Sequence, residues 1–203
     1  VCDLPVSLLT SEAPKYDRPT ARPKYLDELK PGELPGNVDL GADLLELLAS
    51  PNICSRSVIF EQFDHMVGLG TVVNPGEGDA AVLRIPGTPR AIAVAVDCNS
   101  RFCYLNPRVG AQLAVAETTR NVACTGATPL GITDCLNFGD PTNPEIMWQF
   151  VEAVEGMADA CTALNAPVVG GNVSLYNSSF DRAIFPTPTV AAVGSFANEV
   201  ARG

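Results

Sequence analysis

The sequence predicts an α+β domain, a mixed sheet with its helices on one face. Short apolar runs bounded by turn residues read as strands at 80–85, 91–96, 129–133, 167–169 and 189–193. Two long stretches, 109–125 and 143–165, read as helices. The order strand, strand, helix, strand, helix, strand, strand places both helices on one side of the sheet. The other face then needs a cover, and a second copy of the domain is a candidate. No internal repeat is visible.

Taken in order, residues 1–42 are rich in proline and poor in periodicity. Ala13-Pro14, Arg18-Pro19, Arg22-Pro23, Lys30-Pro31 and Leu34-Pro35 read as an extended linker. A short helix over 43–49 ends at Ser50-Pro51. The linker with this helix is expected to occupy 1–50, and the domain 51–203. A further helix is expected over 55–63, with Ser55 as N-cap. The helix over 109–125 is Ala-rich and stops at Gly126, a favoured C-cap residue. The last helix opens with Asn143 as N-cap and Pro144 at its first position. It sets Ile146, Phe150, Val154, Met157 and Cys161 on one face and ends at Asn165.

The chain has 203 residues, 46% of them hydrophobic, and mean hydropathy +0.15, enough for one domain with a core. Its formal net charge is −10, with no Lys/Arg cluster, which disfavours nucleic acid and anionic membrane as partners. A nucleotide remains compatible, because Mg²⁺ bridges carboxylates to phosphates. Cysteine occurs seven times, without CxxC, so a reducing, cytoplasmic setting is expected. Cys98 and Cys103 have a spacing open to metal binding, but no second pair accompanies them. No signal peptide and no apolar run of about 20 residues is visible. The chain opens on Val1 rather than Met, as expected of a processed or excised piece.

Polar groups suited to chemistry collect beside strands. In 167–177 an apolar strand meets Gly170-Gly171-Asn172, then Ser174. Paired glycines admit a ligand close to the main chain, and successive bare N–H groups make an anion nest. Asn172 offers a carbonyl oxygen to a hard cation, and Ser174 a hydroxyl to a phosphate. An ordinary Gly-Asn turn is the competing reading. Asp134 follows the strand 129–133, and the carboxyl end of a strand is where open sheets bind ligands. It serves equally as an Asx-turn residue.

Glu117 and Asn121, four apart, share a helix face with Leu113 and Cys124. Glu117 needs a partner or a metal there, and a hydrogen bond to Asn121 is the plainer role. Asp79 and Asp97 border strands as ligands for Mg²⁺ or as turn residues, and Arg101 and Arg108 suit phosphates or rim salt bridges. His65 is the single histidine and reads as a surface or structural group, so no Ser/His/Asp or Cys/His arrangement is supported. Trp148 and the phenylalanines read as core.

Four blocks carry a family resemblance: Asp97-Cys98-Asn99-Ser100-Arg101-Phe102-Cys103-Tyr104-Leu105, the stretch 114–123, Thr133-Asp134-Cys135-Leu136-Asn137-Phe138-Gly139, and Gly170-Gly171-Asn172-Val173-Ser174-Leu175-Tyr176-Asn177. They resemble the phosphoribosylformylglycinamidine synthase family, in the large synthetase subunit of the small, multi-subunit bacterial form. The match runs from about Ser55 onward and is to the second aminoimidazole-ribonucleotide-synthetase-like N-terminal domain. The resemblance implies a carbon–nitrogen ligase of purine biosynthesis. With ATP and Mg²⁺ it amidates formylglycinamide ribonucleotide with glutamine-derived ammonia. Phosphorylation of the formamide oxygen makes a leaving group that ammonia displaces.

By the same resemblance, Asp134 and Gly171 are nucleotide-binding, Asn172 is a Mg²⁺ ligand and Ser174 contacts substrate. Asp79, Glu117 and Asn121 resemble holders of a structural Mg-nucleotide in the single-chain enzymes. Implied partners are the first-repeat domain of the same chain, which pairs with this one into a β-barrel, and the glutaminase and small accessory subunits. A homodimer of this piece is an alternative. The family's catalytic histidine lies in the first repeat, so this piece holds no catalytic residue and is expected to be inactive alone. A non-catalytic half-barrel is a competing function. The Gly-Gly-Asn-x-Ser motif is also similar to that of selenophosphate synthetase, thiamine-monophosphate kinase and the hydrogenase maturation protein HypE, which bind ATP on related folds.

Overall fold

The computed structural model describes residues 3–33 and 39–197; Cys2, the Leu34-Pro35 pair and the last residues lie outside them. The elements are α1 (Val6–Leu9), α2 (Tyr25–Glu28), α3 (Leu40–Ala49), α4 (Ser57–Phe60), β1 (Thr71–Val73), β2 (Ala81–Arg84), β3 (Ala91–Asp97), α5 (Ser100–Leu105), α6 (Pro107–Cys124), β4 (Thr128–Asn137), α7 (Pro144–Ala163), β5 (Val168–Ser174), β6 (Ser178–Ser179), β7 (Arg182–Ala183) and β8 (Thr187–Ser195). Six strands form one sheet in the order β1-β2-β3-β8-β4-β5, and β6 pairs with β7 as a separate hairpin. All neighbours in the large sheet are antiparallel except β4 and β5, so the sheet is mixed as expected.

The helices pack on one face. Ala91, Ala93 and Ala95 alternate as buried residues along β3, and Val190 and Ala192 do the same on β8. These small side chains let α6 lie close, with Ala111, Ala114, Val115 and Val122 against them. The buried Thr118 hydroxyl donates to Ala95 O at 2.9 Å and ties α6 to β3. α7 crosses α6 where Gly156 permits it: a Cβ there would lie 2.2 Å from Arg108 O. Phe138 meets Phe150 edge to face at 5.1 Å. The opposite face has no cover among the described residues, and Val96 on it is 63% exposed.

Register sorts the remaining residues by face. Asp97 and Asp134 both pair with Val190, from β3 and β4 respectively, and therefore share the helix-covered face. Gly171 pairs with Asp134 and joins them. Cys135 and Asn137 pair with Asn172 and Ser174, so these four lie on the uncovered face.

Several expectations need correction. β4 runs to Asn137, so Asp134 lies inside the strand and not past its end. Likewise β5 runs to Ser174. Neither Gly170 nor Gly171 has a positive φ, so the segment makes neither a nest nor a Gly-Asn turn. Pairing with β4 draws a turn-like composition into extended backbone. The loop expected after Asp97 is the helix α5, with Asn99 as N-cap accepting from the amides of Arg101 and Phe102. The helix expected over 55–63 is the single turn α4; Ser55 Oγ accepts from Ser57 N. Of the phenylalanines, Phe138 is fully buried, while Phe180 is 97% exposed.

The proline-rich arm is seated against the domain over residues 21–25. Pro23 is fully buried, and Ala21 N donates to Pro144 O at 3.0 Å. Tyr25 stacks on Tyr104 at 4.2 Å, its hydroxyl donates to Tyr104 O at 2.6 Å, and it accepts from Gln149 Nε2 at 3.1 Å. Tyr104 in turn stacks on Phe185 at 4.4 Å.

Candidate functional site

β5 is the edge of the sheet and exposed along nearly its whole length. It pairs only with β4, which leaves its outer row of main-chain groups open. Asp134 lies directly beside it. A Cβ on Gly171 would fall 2.3 Å from Asp134 Oδ1 and 2.7 Å from Asp134 O, so the carboxylate fills the space that a side chain would take. Burial holds the Asp134 carboxyl above its usual range. No hydrogen bond within the described residues offsets that burial.

Asn172 stands exposed on the other face, its carboxamide without a hydrogen-bond partner among the described residues. Around Gly170 a Cβ would meet nothing within 4 Å, and Thr133 Oγ1 donates to Gly170 O at 3.0 Å from beneath. Ser174 is partly buried and sits in a network with Asn177, whose Nδ2 reaches Ser174 Oγ at 3.1 Å and Phe138 O at 3.0 Å. The four candidate residues thus occupy one edge strand and its neighbour, with Asp134 and Gly171 on one face and Asn172 and Ser174 on the other.

A second carboxyl group lies across Val190. Burial first, then the negative charge and hydrogen bond of Glu117, push Asp97 up to about 6. Glu117 is therefore bonded to Asp97, not to Asn121, and its helix stripe is open, with Leu113 and Cys124 exposed. Asp79 is exposed, and among the described residues no three His, Cys, Asp or Glu side chains gather as a metal would need. The Cys98 thiol hydrogen-bonds to Cys103, which lowers the first and raises the second; all six described cysteines are free.

The plainer roles hold for several other residues. Arg108 pairs with Asp159 at 2.7 Å on the surface. His65 is exposed, and its Nδ1 lies 3.3 Å from Phe63 O. Trp148 is not packed core but lines a cavity of about 310 Å³ together with Arg22 and Leu105. Sequence reasoning missed two features. Asn177 appeared only as the end of a motif, and the Tyr25–Tyr104 stack joins residues 79 apart. The Ser-x-x-Asn spacing at a strand end is the one local signal for the first.

The chain matches the family model "AIR synthase related protein, N-terminal domain" over residues 77–196. It is 56% identical over 196 residues to the phosphoribosylformylglycinamidine synthase subunit PurL of Carboxydothermus hydrogenoformans, covering 96% of this chain and 26% of that protein. The corresponding figures for PurL of Deinococcus radiodurans are 55%, 96% and 27%. The chain thus spans about a quarter of the length of these curated relatives. Among solved structures it is similar to PurLQS from Thermotoga maritima, with TM-score 0.71 and 31% identity over 96% of this chain and 30% of that one. T. maritima PurL complexed with AMPPCP gives TM-score 0.68 and 33% identity over 97% and 30%. T. maritima PurL complexed with FGAR gives TM-score 0.65 and 31% identity over 97% and 29%. A model matched over more than half of the sequence assigns the chain to the AIR synthase related family, as its N-terminal domain.

Proposed function

We propose that this chain is the domain of a phosphoribosylformylglycinamidine synthase synthetase subunit that supplies one side of the ATP site. The observation that carries the reading is the pair Asp134 and Gly171, a half-buried carboxylate with no donor, laid against a residue that has no room for a Cβ. Such a group calls for an external hydrogen-bond or cation partner. A nucleotide with Mg²⁺ supplies both kinds, and the residues present fit it. Asp134 receives donors of the nucleotide, Gly171 offers open main chain at the strand edge, and the exposed Asn172 oxygen suits the cation. Ser174, next on the same face as Asn172, is the substrate contact.

In the reaction, ATP phosphorylates the glycinamide carbonyl oxygen of formylglycinamide ribonucleotide, rather than the formamide oxygen expected from the sequence, and ammonia displaces the phosphate to leave the amidine. The contribution of these residues is orientation and charge balance, the usual protein share in phosphoryl transfer. The domain proper extends from about residue 51, with the preceding arm as linker. Its uncovered face, rich in Ile92, Val94, Val96 and Leu130, pairs with the first-repeat domain of the same subunit to close a barrel. Glutaminase and small accessory subunits complete the enzyme, in the cytoplasm. No helix among the described residues is long and apolar enough to cross a membrane.

The experiment is ribonucleotide-dependent ADP release by the full-length subunit with its glutaminase partner. Asn172→Ala should remove most of the Mg²⁺-dependent turnover. Near-normal turnover at saturating Mg²⁺ and ATP would refute the role of Asn172. Absence of any ribonucleotide-dependent ADP release by the native enzyme would refute the function.

A further inference from the structure

We propose that Asn177 is a positioning residue for the ribonucleotide, acting through the hydroxyl of Ser174; the proposal rests on the substrate role given to Ser174 above. Ser174 closes an exposed edge strand, where a serine hydroxyl is free to sample three rotamers. A contact group that wanders must be ordered when substrate binds, and that ordering weakens binding. Asn177 removes this freedom.

Its carboxamide is itself held by the main chain. Nδ2 lies 3.0 Å from Phe138 O and 2.9 Å from Ser174 O. Two carbonyls on one side fix the orientation of the amide, because the reversed group would set Oδ1 against both. In the fixed orientation Ser174 Oγ lies 3.1 Å from Nδ2 and 3.3 Å from Oδ1, so donor and acceptor both bear on the one hydroxyl.

The backbone of the turn holds Asn177 equally firmly. Its N–H donates to Phe138 O at 3.1 Å, and its carbonyl accepts from Ile184 N at 3.2 Å. Tyr176 just before it is left-handed, at φ 61°, and donates to Gly139 O at 2.9 Å, which aims the following side chain back at β5. The turn needs Nδ2 for its carbonyls. It does not need the Oδ1–Oγ contact, which serves only the serine.

A double-mutant cycle on the full-length subunit with its glutaminase partner tests this, using Ser174→Ala, Asn177→Ala and the pair. The readouts are KM for formylglycinamide ribonucleotide, KM for ATP, kcat and melting temperature. Asn177→Ala should raise the ribonucleotide KM about tenfold and the ATP KM less than about twofold. The pair should be no worse than Ser174→Ala alone, because both changes remove one interaction. Losses that multiply, or an ATP KM that rises in step, overturn the proposal. Should Asn177→Ala not fold, Asn177→Gln keeps the carboxamide but, one methylene longer, carries it off the Ser174 hydroxyl, and the same cycle applies with the same expectations. If Ser174→Ala raises the ribonucleotide KM but neither Asn177 variant does, the positioning role alone fails. If Ser174→Ala is silent, the substrate role of Ser174 fails as well.

Discussion

Asp97 and Asp134 pair in register with Val190 from its two sides, on the same face of the same sheet. At about 4.8 Å per strand they stand roughly 10 Å apart. Both are held above the ordinary carboxylate range, and burial is the first cause for both. They differ in their neighbours. Asp97 in β3 meets a second carboxyl, Glu117 of α6, which accepts a hydrogen bond from Asp97 in its protonated form. Asp134 in β4 meets Gly171 on an open edge strand and finds no partner. A self-satisfied pair belongs to the fold. A partnerless carboxylate beside open main chain is what the proposed nucleotide role of Asp134 requires, and the comparison teaches which buried acid to mutate first.

The largest effect should therefore come from Asp134. Asp134→Asn in the full-length subunit is expected to cut ribonucleotide-dependent ADP release about a hundredfold, the size expected of a lost charged contact in a phosphoryl-transfer site. Asp97→Asn is expected to act on melting temperature instead, raising it near neutral pH by removing a like-charge contact. A hundredfold loss in Asp97→Asn with native-like turnover in Asp134→Asn would invert the comparison.

Next in size is Gly171→Ala. Its methyl would fall 2.3 Å from Asp134 Oδ1 and 2.7 Å from Asp134 O, and the second contact is backbone that cannot swing aside. β4 and β5 must part, at a cost of about 1–3 kcal/mol, which denaturant melts of this domain would measure. Gly170→Ala is the control, because a Cβ there meets nothing within 4 Å. Equal losses at the two glycines would mean that the edge strand, not the Asp134 contact, sets the requirement.

The pH dependence separates the two acids. A group raised when folded binds its proton more tightly in the native chain than in the unfolded one. Its stabilisation is whole below its ordinary range near 3.8 and is lost as pH rises through about 6 for Asp97. Glu117→Gln removes the charge that is the second cause of that rise, so the fall in melting temperature between pH 4 and 6.5 should flatten. Asp134 keeps its own share of the slope, since its rise owes nothing to Glu117. An unaltered slope in Glu117→Gln would mean that Glu117 is not a cause of the Asp97 rise.

Much of the fold was legible because it rests on period. The apolar face repeated along 146–161 marks α7 as a helix, the apolar run 91–96 marks β3, and Asn143-Pro144 opens α7 as its capping chemistry requires. What misled was composition that fits two states. Gly170-Gly171-Asn172 has the makeup of a turn, yet parallel pairing with β4 keeps it extended. α5 spans six residues, too few to display a helical period, although Asn99 was there to cap it. The adjacency of Asp134 and Gly171 is a matter of register between strands far apart in sequence, so only the family resemblance reached it. Local spacing carried no sign that Asn172 and Ser174 lie on the opposite face from Asp134, since a face is fixed by where the core sits.

The smallest expected effect concerns the arm. Proline pairs read as a linker, and part of that segment is nonetheless anchored, with Tyr25 making its side-chain hydrogen bonds and ring contact to the domain. Tyr25 stacks on Tyr104, which stacks on Phe185, two residues ahead of β8 and adjacent to Ile184, the donor to Asn177 O. A continuous line of contacts thus runs from the arm to the turn that holds Ser174. Tyr25→Phe keeps both rings and deletes the hydroxyl that donates to Tyr104 O and accepts from Gln149, so it should cost about 1 kcal/mol in denaturant melts. Tyr25→Ala removes the stack as well and should cost more, with earlier proteolytic cutting near Pro23 as a second readout. Tyr25→Ala melts that match the native chain would mean that the arm rests on the domain without supporting it. The turn at Asn177 would then be held from within, by its bonds to Phe138, Gly139, Ser174 and Ile184.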